Sequence, residues 1–208
     1  MKPDLVLTFS DLQADIAADL IRAGVAVHAF NQRNVAGVLA MIRTLGALVG
    51  AAEKAEELAS TYERRLADLS IQTASRAKIK VYFEEWDDPL ISGIGWVSEL
   101  IEVAGGEDVF AGVRMQQCAK DRIVTPEAVI AAAPEVILAS WCGKKVRPER
   151  IASREGWNAI PAVVQGRIHE IKSPLILQPG PAALTDGLDA IVHALWGRGL
   201  DRENERLG

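Results

Sequence analysis

Four carboxylates crowd one short stretch of this chain: Glu84, Glu85, Asp87 and Asp88 flank Trp86 and precede Pro89. Paired carboxylates in a cleft could perform acid–base chemistry or hold a cation. No nucleophile–base partner and no metal-spaced histidine accompanies them, so binding is the better reading than catalysis. Pro89, Gly93 and Gly95 make the stretch a shaped loop. Trp86 and Trp141 each fall just after an apolar run that reads as a strand. A core role is awkward there and a ligand-facing role natural, because open α/β sheets hold ligands beyond the carboxyl ends of their strands. Asp87 and Cys142 flank these two indoles and join them as ligand-binding candidates. Trp157 follows a turn and would either line a cleft or anchor that turn, whereas Trp96 and Trp196 fit packing.

Basic and polar candidates are fewer. Lys144, Lys145 and Arg147 could meet ligand carboxylates or phosphate, or form a solvated face. Arg114 and the run Gln116 to Lys120 occupy a polar loop after Phe110 and fit a cleft wall. His28, His169 and His193 are scattered and do not suggest a metal site. Cys118 and Cys142, the only cysteines, form neither a C-x-x-C pair nor part of a histidine cluster, which favours separate thiols over zinc or a bridge. The serines lack a nucleophile-elbow context. Gly93-Ile-Gly-Trp96 fails the dinucleotide fingerprint, and no Walker loop exists. A net charge of −5 without a basic stripe argues against a nucleic-acid partner. No run approaches the ~20 apolar residues of a membrane span.

The elements that must position these residues alternate strand and helix. Leu5 to Phe9 reads as a strand, Asp11 to Ala23 as a helix with apolar Leu12, Ile16, Leu20 and Ile21, and Val25 to Phe30 as the next strand. Asn34 can cap a helix to Val49. Glu53, Glu56, Glu57, Arg64 and Asp68 mark the wet faces of a long helix from about Ala51 to Thr73, roughly 30 Å at 1.5 Å per residue. Strands follow at Ile79–Glu84, Pro134–Ser140 and Gly166–Ile171. Arg122 to Thr125 reads as a short extended piece, and helices are expected over Gly95–Ala104, from Thr125 to about Ala133, and over Pro181–Trp196. Asp201 to Gly208 reads as a frayed tail. Lys2-Pro-Asp-Leu-Val-Leu7 and Ala133-Pro-Glu-Val-Ile-Leu138 echo one another, each leading through a buried strand to a loop, with Ser10 after the first and Trp141 after the second. The echo suggests two lobes of similar plan.

Three pieces together resemble the substrate-binding proteins of ABC importers for cobalamin, ferric siderophores and haem. They are Lys2-Pro-Asp-Leu-Val6, the segment from Ser92-Gly93 to Ala104-Gly-Gly-Glu-Asp-Val-Phe110, and Val124-Thr-Pro-Glu127 with Ala133-Pro-Glu-Val-Ile137. The Glu84–Gly93 and Ser140–Lys145 stretches look most like the cobalamin branch. The resemblance implies an α/β fold of two Rossmann-like lobes joined by one long helix: residues 1–50 as a partial, N-terminally truncated first lobe, 51–75 as the helix and 76–208 as the second lobe. It implies a non-enzymatic, periplasmic or membrane-attached protein that binds a corrinoid or another metal chelate and partners an inner-membrane permease. Cobalamin would be cargo and not a cofactor. Ligand contacts would come from Trp86, Asp87, Trp141, Cys142, Ser10, Arg114 and Trp157. The signal peptide, the first strand–helix units and a clear docking glutamate near Leu175–Gly180 have no counterpart in this sequence, and self-association would cover an incomplete first lobe. Rival readings are a ferric-siderophore or haem binder, a carboxylate-dependent hydrolase and a cytosolic α/β protein without a transport role.

Overall fold

The structure, a computed structural model, describes residues 3–197, so the tail expected at Asp201–Gly208 lies outside the described residues. The chain opens with β1 (Val6–Phe9), which runs parallel to β2 (Val27–Phe30) with Val6 opposite Val27. The helix expected between them divides into a tight turn at Asp11–Gln13 and α1 (Ala14–Arg22). Ser10 causes the division. Its φ of 66° swings the chain out of the strand, and its hydroxyl accepts from the Leu12 N–H. The apolar row of this segment faces solvent, with Leu12 90% exposed, and no residue of α1 is buried.

The next two helices pack as an antiparallel hairpin. Asn34 caps α2 (Val35–Leu48) as its residue type predicts, its Oδ1 accepting from the Gly37 N–H at 2.7 Å. The long helix, α3 (Ala52–Thr73), has 22 residues and spans about 33 Å. The hairpin is tight because Gly46 has no side chain: a Cβ there would meet the Ala55 Cβ at 2.2 Å. On its wet side Arg43 forks between Glu56 and Glu63, with four nitrogen–oxygen distances of 2.7–3.0 Å. Arg43 leads the contacts that hold the Glu56 carboxyl down at about 2.

A five-stranded sheet occupies the second half. Its central strand β3 (Ile79–Asp87) pairs antiparallel with β4 (Leu90–Ser92) and parallel with β5 (Gly106–Asp108) and β6 (Val136–Ala139). β6 pairs in turn with β7 (Ile168–Glu170). Two points differ from expectation. β3 continues three residues beyond Glu84, so the acidic and aromatic loop is the end of a strand and a tight turn. β5 was also unforeseen: Gly105-Gly106 ends α4 (Gly95–Val103), and Gly106 goes on to pair with Ile79, where a Cβ would sit 2.7 Å from Ile101 Cγ2.

The remaining connections are short helices. They are α5 (Pro126–Ala132), with Thr125 as cap and Pro at its first position, α6 (Pro148–Ala152), α7 (Pro161–Val164) and α8 (Ser173–Ile176). The last expected helix begins as a wide turn over Ala183–Gly187 and becomes α9 (Leu188–Trp196). Of the expected Arg122–Thr125 piece only Ile123 pairs, bridging to Ile91. Alternation along β3 feeds two cores: Val81 and Phe83 pack with α2, α3, α4 and α9, while Tyr82 packs with Trp141, Trp157 and Ile160. Trp96 and Trp196 are packing residues, donating to the Ile176 and Ala104 carbonyls at 2.8 and 2.7 Å.

The Gly46–Ala55 approach makes a direct prediction. Gly46→Ala should destabilise the fold by about 1–3 kcal/mol through overpacking, despite alanine's better helix propensity. Urea unfolding measures this, and an unchanged or higher midpoint would contradict the packing described.

Candidate functional site

The two halves meet where α4 begins. The carbonyl of Arg33, in the loop after β2, lies so close to Gly95 that a Cβ would meet it at 2.2 Å. One turn along α4, the Glu99 carboxylate accepts from the Val35 N–H at 2.7 Å. That places a negative charge on the Val35 amide at the start of α2, beside the Gly37 amide that Asn34 caps, where the helix dipole favours it. These two contacts seat the loop 31–34 on the second half.

Beside that junction runs a groove of about 520 Å³ built from both halves. The first half contributes Phe9, Ser10, Asp11, Leu12 and Arg33. The second contributes Glu85, Ile94, Trp96, Leu177 and the run Gln117 to Lys120. Its walls are largely apolar, with charged side chains (Asp11, Arg33, Glu85, Lys120 and Arg122) set among them, and small-molecule sites combine an apolar lining with a few placed polar groups. Arg33 lies over the Phe9 ring at 5.2 Å and stands 3.7 Å from Asp11, beyond hydrogen-bond reach. On the second-half side Arg122, its side chain 2% exposed, forks onto Glu85 at 2.6 and 3.0 Å and donates to the Ser92 carbonyl at 2.5 Å.

Strand parity decides which acidic residue reaches the groove. Glu85 continues the Val81–Phe83 row, while Glu84 and Trp86 continue the Tyr82 row on the opposite face. A slip in the β3–β4 register makes Glu85 the extra residue of a bulge, a feature that re-aims side chains at sheet edges. Glu84 turns into the second core and is wholly buried. It accepts from Arg154 at 2.5 and 2.9 Å and from Trp141 Nε1 at 3.0 Å. Burial, then the Glu84 charge, push the Tyr82 hydroxyl well above its usual range. Burial works against the Arg154 cation, yet the Glu84 carboxylate more than offsets it and the net direction is up.

Of the residues singled out in sequence, the groove collects Ser10 and Glu85 together with Gln117, Cys118 and Lys120 of the polar loop. The others gather elsewhere. Lys144 stands over the Trp86 ring at 4.0 Å and the Trp141 ring at 5.2 Å and pairs with Asp87, so its ammonium occupies the indole faces. Trp141 is almost fully buried, and Trp157 is fully buried against Tyr82 with Arg154 over its ring. Arg114 turns to Glu102 on α4 at 2.6 Å. Cys142 is exposed, and both cysteines are free thiols. Asp87 and Trp157 also edge a depression of about 600 Å³ formed wholly by the second half, with Asp88, Glu127 and Glu155 on its acidic rim. Sequence reasoning missed Phe9 and Arg33, and it named Glu85 without separating it from its acidic neighbours. Ending the strand at Glu84 and treating residues 85–88 as a loop discarded the parity that separates Glu85 from Trp86.

Residues 1–175 match the family described as periplasmic binding protein, and the chain belongs to that family. It is 30% identical over 139 residues to the vitamin B12-binding protein of Salmonella choleraesuis, an alignment covering 64% of this chain and 52% of that protein. The chain thus spans about half the length of the curated relative it matches. Among solved structures, it resembles the vitamin B12-binding protein BtuF of Vibrio cholerae, with a TM-score of 0.68 and 23% identity over 93% of this chain and 74% of that one. It likewise resembles the periplasmic haem-binding protein RhuT of Roseiflexus sp. RS-1, with a TM-score of 0.73 and 23% identity over 92% and 76%. These similarities establish the two-lobed α/β fold with its single long connecting helix.

The buried network makes the second prediction. Glu84→Ala strands Arg154 without its carboxylate and should cost about 3–5 kcal/mol of stability. Chemical denaturation measures it. A loss below about 1 kcal/mol would mean that Glu84 is not the charge on which this core is built.

Proposed function

We propose that this chain is the solute-binding component of an ABC importer, working outside the cytoplasmic membrane and delivering a corrinoid to a permease. Residues 1–50 and 76–208 would be the two lobes and 51–75 the helix that links them. The observation that carries the reading is the groove built from both halves, largely apolar on its walls, with Glu85 and Arg122 closed on each other. A broad, flat, metal-containing ring needs such a surface and few polar contacts. The relative named as a vitamin B12-binding protein favours a corrinoid as occupant. The haem-binding neighbour keeps haem as the second reading within the same class. Binding without turnover fits the carboxylates: Glu84 and Glu85 are each held by an arginine, and Asp87 by Lys144. None of the three is poised beside a nucleophile, which speaks against the hydrolase alternative.

Isothermal titration with cyanocobalamin, hemin and ferrichrome tests the reading. Saturable binding of cyanocobalamin at micromolar or tighter Kd is expected, with Phe9→Ala weakening it about tenfold by removing an aromatic wall. Binding of hemin alone would move the assignment to the second reading, and binding of none of the three would sink it.

A further inference from the structure

The groove's charges do not cancel evenly. Arg122 and Glu85 neutralise one another through a two-pronged contact. Arg33 has only the loose approach of Asp11, itself 65% exposed, and its Nε, buried from solvent, has no hydrogen-bond partner. Lys120 projects from the turn Ala119–Arg122 as a further cation. The two come from different halves: Arg33 from the loop seated on Gly95, Lys120 from the polar run after Phe110. Arg33 is also the better held, by the Phe9 ring beneath it and by the anchoring of its backbone at α4. A groove with apolar walls and two under-neutralised cations suits a ligand that is mostly neutral and carries one localised anion.

A complete corrinoid has that charge distribution. Its ring amides are neutral, and its one anionic oxygen group is the phosphodiester of the nucleotide loop. Cobinamide has the same ring and lacks the phosphodiester. Resting on the corrinoid reading above, we propose that Arg33 and Lys120 receive the nucleotide-loop phosphodiester, so that this chain selects complete cobalamins over cobinamides. Arg33 would supply directional guanidinium donors and Lys120 a movable point charge.

Titration of the full chain with cyanocobalamin and with dicyanocobinamide, across a series of NaCl concentrations, tests this. Cyanocobalamin should bind about tenfold tighter or more, the range of a charge-assisted hydrogen bond, and its advantage should shrink as salt rises. Arg33→Gln and Lys120→Gln should each lower cyanocobalamin affinity several-fold and leave dicyanocobinamide within about twofold. If Arg33→Gln loses its circular-dichroism melt, Lys120→Gln, on an exposed side chain, carries the comparison alone. Equal affinity of the unaltered chain for both corrinoids would overturn the proposal while leaving the corrinoid reading standing. Equal losses for both ligands in the variants would also overturn it, by making the cations general supports of the groove. Binding of neither corrinoid would overturn both.

Discussion

The contact between the Arg33 carbonyl and the bare backbone of Gly95 is the constraint on which the rest of the molecule depends. A methyl group at residue 95 would fall 2.2 Å from that oxygen, so any other side chain forces the loop 31–34 away from α4. The Glu99 bond to the Val35 amide works in the same direction from one turn further along. Together they fix where α2 starts, and hence how the Phe9–Arg33 wall faces the Ile94–Trp96 wall. The long helix α3 adds stiffness, since a continuous helix resists the local changes in φ and ψ that a hinge must absorb. The groove is therefore a product of the junction and not of either half.

The second sheet shows how one strand serves two masters. β3 supplies apolar residues to cores on both faces, and near its end that alternation becomes polar without losing its phase. Glu84 is drawn inward, where Arg154 and Trp141 meet its lone pairs and repay its desolvation. Glu85, one residue on, faces the groove and is closed by Arg122. Adjacent identical residues thus acquire different work from the two-residue period of the backbone. The same period explains why the indoles of Trp86 and Trp141, prominent in sequence, end up beneath Lys144.

Much of the architecture was legible in the sequence because its signals are local. Asn34, Thr125-Pro126 and Gly105-Gly106 mark element boundaries through backbone chemistry that tertiary packing did not override. The periodicity of residues 51–73 gave α3 nearly to the residue. The family resemblance rested on spaced motifs and was confirmed over residues 1–175. The site was less legible, for a physical reason. Groove residues are chosen by which surfaces meet across the junction, and Phe9, Arg33 and Glu85 carry no local mark of that meeting. Ser10 and the Gln117–Lys120 run were found because they sit in loops at element ends. Trp157 could not be resolved between cleft and core until Tyr82 and Arg154 were seen packed on it.

The most direct test of this account is to map amide chemical shifts as cyanocobalamin is added to isotopically labelled protein. With the ligand in the groove, the largest changes cluster at residues 9–12, 33, 85, 94 and 117–120, on both sides of the junction. Changes concentrated instead at residues 86, 141–145 and 157 would contradict that placement, because they would put the ligand on the second half alone.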